Sequence, residues 1–226
     1  MSAPLFDTLD NLRKNLAIRL GFGAQAEVIT LQIPILDSFL QTAQQHLWRI
    51  VAWRHLQKVH IENLGVDQKV LDLPDDADQA SIKRVWVKMG DFWRRIEAVN
   101  PTHGNADLNG YPLNGYPTRY ELLAHEQGLM QLHFYPVPND VVTIKIEYTA
   151  KPSRFTAGSD RASLPDDLIF LHALVSAKAH YRQPDLQAVN GQYEQSLRYA
   201  KEANFGVDDS RGFDSKTDVY DAYNYI

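Results

Sequence analysis

Apolar residues first recur along this chain at helical steps: leucines stand at 5, 9, 12, 16 and 20, a single stripe. Gly21-Phe22-Gly23-Ala24 closes that helix, since glycine adopts a terminating left-handed conformation cheaply. A second helix is predicted to begin after Pro34. It carries Leu36, Phe39, Leu40, Ala43, Leu47 and Ile50 inward and Gln41, Gln44 and Gln45 outward, with Trp48 and Trp53 near its end. From about residue 57 the period drops to two. Short β-type runs follow at Lys58–Ile61, Lys69–Leu73, Arg84–Met89, Trp93–Val99, Tyr120–Leu123, Leu129–Tyr135 and Val141–Tyr148. The clearest, Val142-Thr143-Ile144-Lys145-Ile146-Glu147-Tyr148, reads as a strand with one buried face.

Turn chemistry separates these runs at Pro74-Asp75-Asp76, Glu126-Gln127-Gly128 and Pro138-Asn139-Asp140. Between 100 and 118 lies a stretch rich in Pro, Gly, Asn and Tyr that repeats Asn-Gly-Tyr-Pro, and it reads as a contact loop centred on Tyr111 and Tyr116. Helical periodicity returns at Ser163-Leu164-Pro165-Asp166, which has the form of a capping box. Leu168, Leu171, His172, Val175 and Ala179 then mark one face, and Pro184 ends or bends the helix. Leu186, Val189, Tyr193, Leu197 and Ala200 give a further amphipathic helix. Residues 207–226 follow neither period: they hold Asp208, Asp209, Asp214, Asp218 and Asp221 with Tyr220, Tyr223 and Tyr225. That composition suits an arm that orders against a partner, or a frayed terminus.

The predicted fold class is therefore α+β. Residues 1–57 and 150–206 are expected to form a discontinuous helical bundle. Residues 58–149 form an inserted antiparallel β domain, and 207–226 an extended C-terminal arm. A 226-residue chain with 11% aromatic residues has the material for a buried core. Its net charge of -5 argues against a protein that wraps nucleic acid. With no cysteine, disulfides, thiol nucleophiles and Cys-type zinc sites are excluded. No apolar run is long enough to cross a bilayer and no secretory h-region is visible, so, with cysteine absent, synthesis in a reducing cytoplasm and no membrane partner are expected.

Catalytic signatures are missing from the sequence: it has no P-loop, GxGxxG, HExxH or GxSxG. His172 and His180 fall two helical turns apart, about 12 Å, too far to share a metal without other ligands. Leu-Pro-Asp-Asp occurs twice, at 73–76 and 164–167. Adjacent acids diverge rather than converge, so these read as a turn and as a helix start that complements the dipole. Asp75-Asp76-Ala77-Asp78 lacks the glycine and terminal glutamate of a calcium loop. Lys83–Lys88 and Phe92–Arg95 combine cations with aromatic faces, as single-strand binders do. In alternating strands the same residues form a solvated face over a core of Val85, Val87 and Phe92, which is the reading adopted. No catalytic residue, cofactor or metal is expected, and the chain is not read as an enzyme.

Several phrases in order carry a family resemblance. Leu-Arg-Lys-Asn-Leu-Ala-Ile-Arg-Leu-Gly-Phe-Gly-Ala-Gln (12–25) precedes Ser-Phe-Leu-Gln-Thr-Ala-Gln-Gln-His-Leu-Trp (38–48). Tyr148–Pro152, Ser159-Asp160, Leu164–Ile169 and Lys178–Asp185 follow. Together these resemble the head-to-tail adaptor (connector) proteins of tailed bacteriophages, the group that includes tail tubular protein A, or gatekeeper. The resemblance implies a homo-oligomeric ring, usually of twelve copies, at the head–tail interface of the virion. Such a ring docks beneath the portal protein, above a tail tube or nozzle protein, and DNA passes through without sequence-specific binding. It also implies an arm that touches the portal or a neighbouring subunit; here Phe205, Phe213, Tyr220, Tyr223, Tyr225 and Ile226 would do so, with Tyr111 and Tyr116 facing the tail. Two other classes compete: a tail component that binds host-surface glycans through the aromatic loop, and a tail-associated hydrolase.

Overall fold

The computed structural model describes residues 6–22, 26–77, 79–99, 114–124 and 130–204, with backbone alone for 26–29 and 79. These residues fall into two compact units: one draws on Met1–Arg54 and Pro152–Ile226, the other on His55–Lys151. The described residues form four α-helices and one seven-stranded sheet, so the chain is α+β.

In the helical unit, α1 (Leu9–Arg19) starts where the Thr8 side chain accepts the backbone N–H of Asn11. It buries Leu9, Leu12 and Leu16, and Leu20 just past its end is buried too. Gly21 at φ +83 turns the chain out of it, as expected. The second helix, α2 (Ala26–Ile50), does not wait for Pro34. It starts eight residues earlier and carries the proline in its interior on an exposed position. Proline forbids one ladder hydrogen bond rather than the helix itself, and long helical stretches on both sides tolerate the loss.

Leu36, Leu40, Ala43 and Leu47 of α2 are fully buried, and so, against expectation, is Gln44. The third helix, α3 (Asp166–His180), and the fourth, α4 (Leu186–Ala203), follow the β unit. The expected capping box does not form: Pro165 occupies the cap without a side-chain bond, and Ser163 Oγ accepts the N–H of Ser153 instead. The buried face of α3 also differs from the predicted one, since Ile169, Ala173, Leu174 and Ala177 join Leu168 inside while Ala179 is exposed. Apolar residues surround this helix almost completely, so periodicity alone could not choose a side; contacts with α1, α2 and α4 did.

All seven expected runs are strands: β1 (Gln57–Leu64), β2 (Val70–Asp72), β3 (Ile82–Met89), β4 (Phe92–Ala98), β5 (Arg119–Ala124), β6 (Met130–Tyr135) and β7 (Val142–Thr149). Their order in the sheet is β1-β7-β3-β4-β5-β6-β2. The purely antiparallel domain is corrected, because β4 and β5 pair in parallel, Glu97 opposite Arg119 and Ala98 opposite Tyr120. A parallel pair needs a crossover of about a dozen residues or more. The chain from Val99 to Thr118, which includes the Tyr-Pro repeat, provides that length. Alternation reveals strands but not their direction. Val142, Ile144, Ile146 and Tyr148 bury every second residue of β7 in a core with Val85, Val87, Ile96, Leu132 and Phe134.

Candidate functional site

Strands β3 and β4 join through Gly90-Asp91, with Met89 opposite Phe92 and Gly90 at φ +61, the geometry of a two-residue II′-type turn. The hairpin outruns its neighbour, because the ladder between β3 and β7 ends at Val87 opposite Ile144. Phe92, expected in the core, therefore stands beyond the last covering strand and is 62% exposed.

Strand parity sets one face of this sheet from register alone. Trp86 pairs with Arg95 on one side and Lys145 on the other, and Lys88 pairs with Trp93. Lys145 pairs in turn with Ile61 of the edge strand β1. The Lys145 ammonium lies 4.7 Å from the Trp86 ring centroid and 5.1 Å from that of Trp93, a cation between two indoles. Glu147 stands 3.3 Å from Lys145 and 3.8 Å from Arg84. On β1, Val59 and Ile61 are 59% and 57% exposed on the same face. Val85, Val87 and Ile96 are buried beneath the opposite one. The result is an apolar and aromatic surface, bordered by cations, across four strands.

Of the Leu-Pro-Asp-Asp acids, Asp76 is tied into the β unit by two side-chain hydrogen bonds. Asp76 accepts from Lys58 Nζ at 2.5 Å and from the Tyr148 hydroxyl at 2.8 Å. Burial pushes the Asp76 carboxyl up, but hydrogen bonds from Lys58 and Tyr148 and the Lys58 charge hold it below its ordinary value. The same burial, with Asp76 beside it, pushes the Tyr148 phenol up to about 12. Asp166 and Asp167 open α3 and, with Asp7, Arg19 and Phe170, line a shallow groove of about 400 Å³ against α1. Asp7 is already engaged there by the Thr8 backbone N–H and the Asn11 amide.

Among the described residues the histidines do not gather around a metal-like centre. His172 stacks on His46 with ring centroids 4.6 Å apart and meets Tyr193 edge-on at 5.2 Å. His180 packs against Phe39 and Tyr181 instead. Burial, then the neighbouring His46, lowers the His172 pKa below 6.5. Among the described residues no cluster of three or more His, Asp or Glu could hold a metal, and no helix is long and apolar enough to cross a membrane.

Of the contact residues named from sequence, only Tyr116 lies among the described residues, 44% exposed beside an Asn114–Val137 bridge. Tyr111, Phe205, Phe213, Tyr220, Tyr223, Tyr225 and Ile226 lie outside them. The sequence reading singled out the basic–aromatic runs but missed Lys145 as their third member. Its outward place in the alternation of β7 was the available signal.

Residues 7–215 match the family of the SU10 adaptor protein, and the chain belongs to that family of bacteriophage structural adaptors. No curated protein matches the chain. Family membership bears out the head-to-tail adaptor resemblance and makes the protein a virion component that associates with other virion proteins.

Proposed function

We propose that copies of this chain close into a ring, twelve in number, that docks beneath the portal and joins it to the tail tube or nozzle, lining part of the DNA channel. The observation that carries the proposal is the adaptor-family match across nearly the whole chain. Physical features agree with it. Identical subunits close a ring when each heterologous contact adds a rotation that sums to a full turn. A protein of net charge -5 offers passing DNA little of the counterion-release affinity that a basic pore creates.

In this reading the four helices form the bundle that supplies ring and portal contacts. Residues 207–226 are the arm, with Phe213, Tyr220, Tyr223, Tyr225 and Ile226, and Phe205 just before it, as anchors, and Tyr111 and Tyr116 face the tail. Native mass measurement of the chain mixed with the portal protein of the same phage tests it. A complex with ring stoichiometry is the expected result. A monomer that ignores the portal, or a chain found away from the head–tail vertex in imaged particles, would overturn it.

A further inference from the structure

The basic–aromatic sheet face has a chemical counterpart in the same chain. On that face Arg84, Lys88, Arg95 and Lys145 stand against Glu97 and Glu147, a net +2 in a chain of -5. Residues 207–226 hold five Asp against Arg211 and Lys216, a net -3, interleaved with Phe213, Tyr220, Tyr223 and Tyr225. We infer that the outer face of β1, β7, β3 and β4 is the receptor for residues 207–226 of a second copy of the chain. The inference rests on the ring reading above and adds to it the surface that the arm engages.

Three observations favour this occupant. The face combines exposed Val59 and Ile61 with the Trp86–Lys145–Trp93 stack, so it rewards a ligand that carries rings as well as charge. Its width, four strands at about 4.8 Å spacing or roughly 15 Å, suits one extended peptide. The chain continues for 22 residues past Asn204, a reach of at most about 75 Å when extended, enough to leave its own subunit. Nucleic acid fits less well. Glu97 and Glu147 sit among the cations and would repel a continuous run of phosphates, whereas separate aspartates can pair with Lys88 and Arg95 one at a time.

Zero-length carbodiimide coupling of the assembled full-length chain, mixed from normal and ¹⁵N-labelled copies, tests the inference. Amide links from Lys88 or Lys145 to Asp214, Asp218 or Asp221, joining differently labelled copies, are expected. The yield of the Lys145 links should fall at least fivefold in the Lys88→Glu/Arg95→Glu double variant, and the Lys145–Asp214 link should recover when Asp218→Lys/Asp221→Lys is added. Links confined within one copy would overturn it, as would coupling of the arm elsewhere while rings persist; either leaves the ring reading standing. Short single-stranded or duplex DNA that binds the wild-type chain but not the double variant would assign the face to nucleic acid. A chain that stays monomeric with portal present would sink both the inference and the ring.

Discussion

Gln44 carries no charge and reaches no solvent, yet it ties the two sequence halves of the helical unit together. Its amide donates to the Ser153 carbonyl at 2.7 Å and accepts the Ser163 N–H at 2.9 Å, while Gln41 accepts from Phe155 N–H at 3.0 Å. Glutamine in a helix reads as an outward residue until a segment more than a hundred positions away supplies its partners. Periodicity holds no information about that segment, which is why the reading failed here. Gln44→Ala is expected to destabilise the protein by about 2 kcal/mol, because it strands two backbone groups inside. Urea denaturation measures this. His172 gives a second residue-scale prediction. Burial and His46 hold its pKa below 6.5, so the unfolded state takes up the proton first. Stability conferred by the neutral ring is full above pH 6.5 and is lost as pH falls toward the folded-state value. His172→Phe keeps an aromatic ring against Tyr193 and should flatten the fall in thermal midpoint between pH 7 and 5.

At the level of elements, strands were the most legible part of the sequence. Every β-type run became a strand because alternation reports a half-buried pleat directly. The direction of β5 against β4 was not legible, since it depends on the path between them rather than on either strand. Among helices, α1 and α4 kept their predicted faces, with Leu9, Leu12 and Leu16 inside one and Val189 and Tyr193 inside the other. α3, apolar on nearly every side, did not. Pro34 marks the limit of reading breakers as boundaries. An exposed proline inside α2 costs a ladder hydrogen bond and contributes no buried surface. Pro34→Ala should therefore raise stability by about 1–3 kcal/mol, seen as a higher thermal midpoint with unchanged helix content.

For the whole molecule, the adaptor class came from the order of phrases between residues 12 and 185, and the family match over 7–215 agrees. Composition alone excluded chemistries without naming a role. The candidate surface was legible only in pieces, because pairing of Trp86 with Lys145 joins residues 59 positions apart and needs the register of β3 on β7. One further consequence follows from β1 and β7 being neighbours. Gln57 faces Thr149 across the ladder, so the strand that opens the inserted unit and the strand that closes it share one doorway, about 5 Å wide between α-carbons. A short glycine-containing turn in place of 57–149 should span that gap and leave a protein whose helicity per residue rises and whose melting remains cooperative, as circular dichroism would read. Such a doorway makes the insert a cassette: a lineage could exchange it for another module with adjoining ends, and re-tailor what the sheet greets without disturbing what the helices hold.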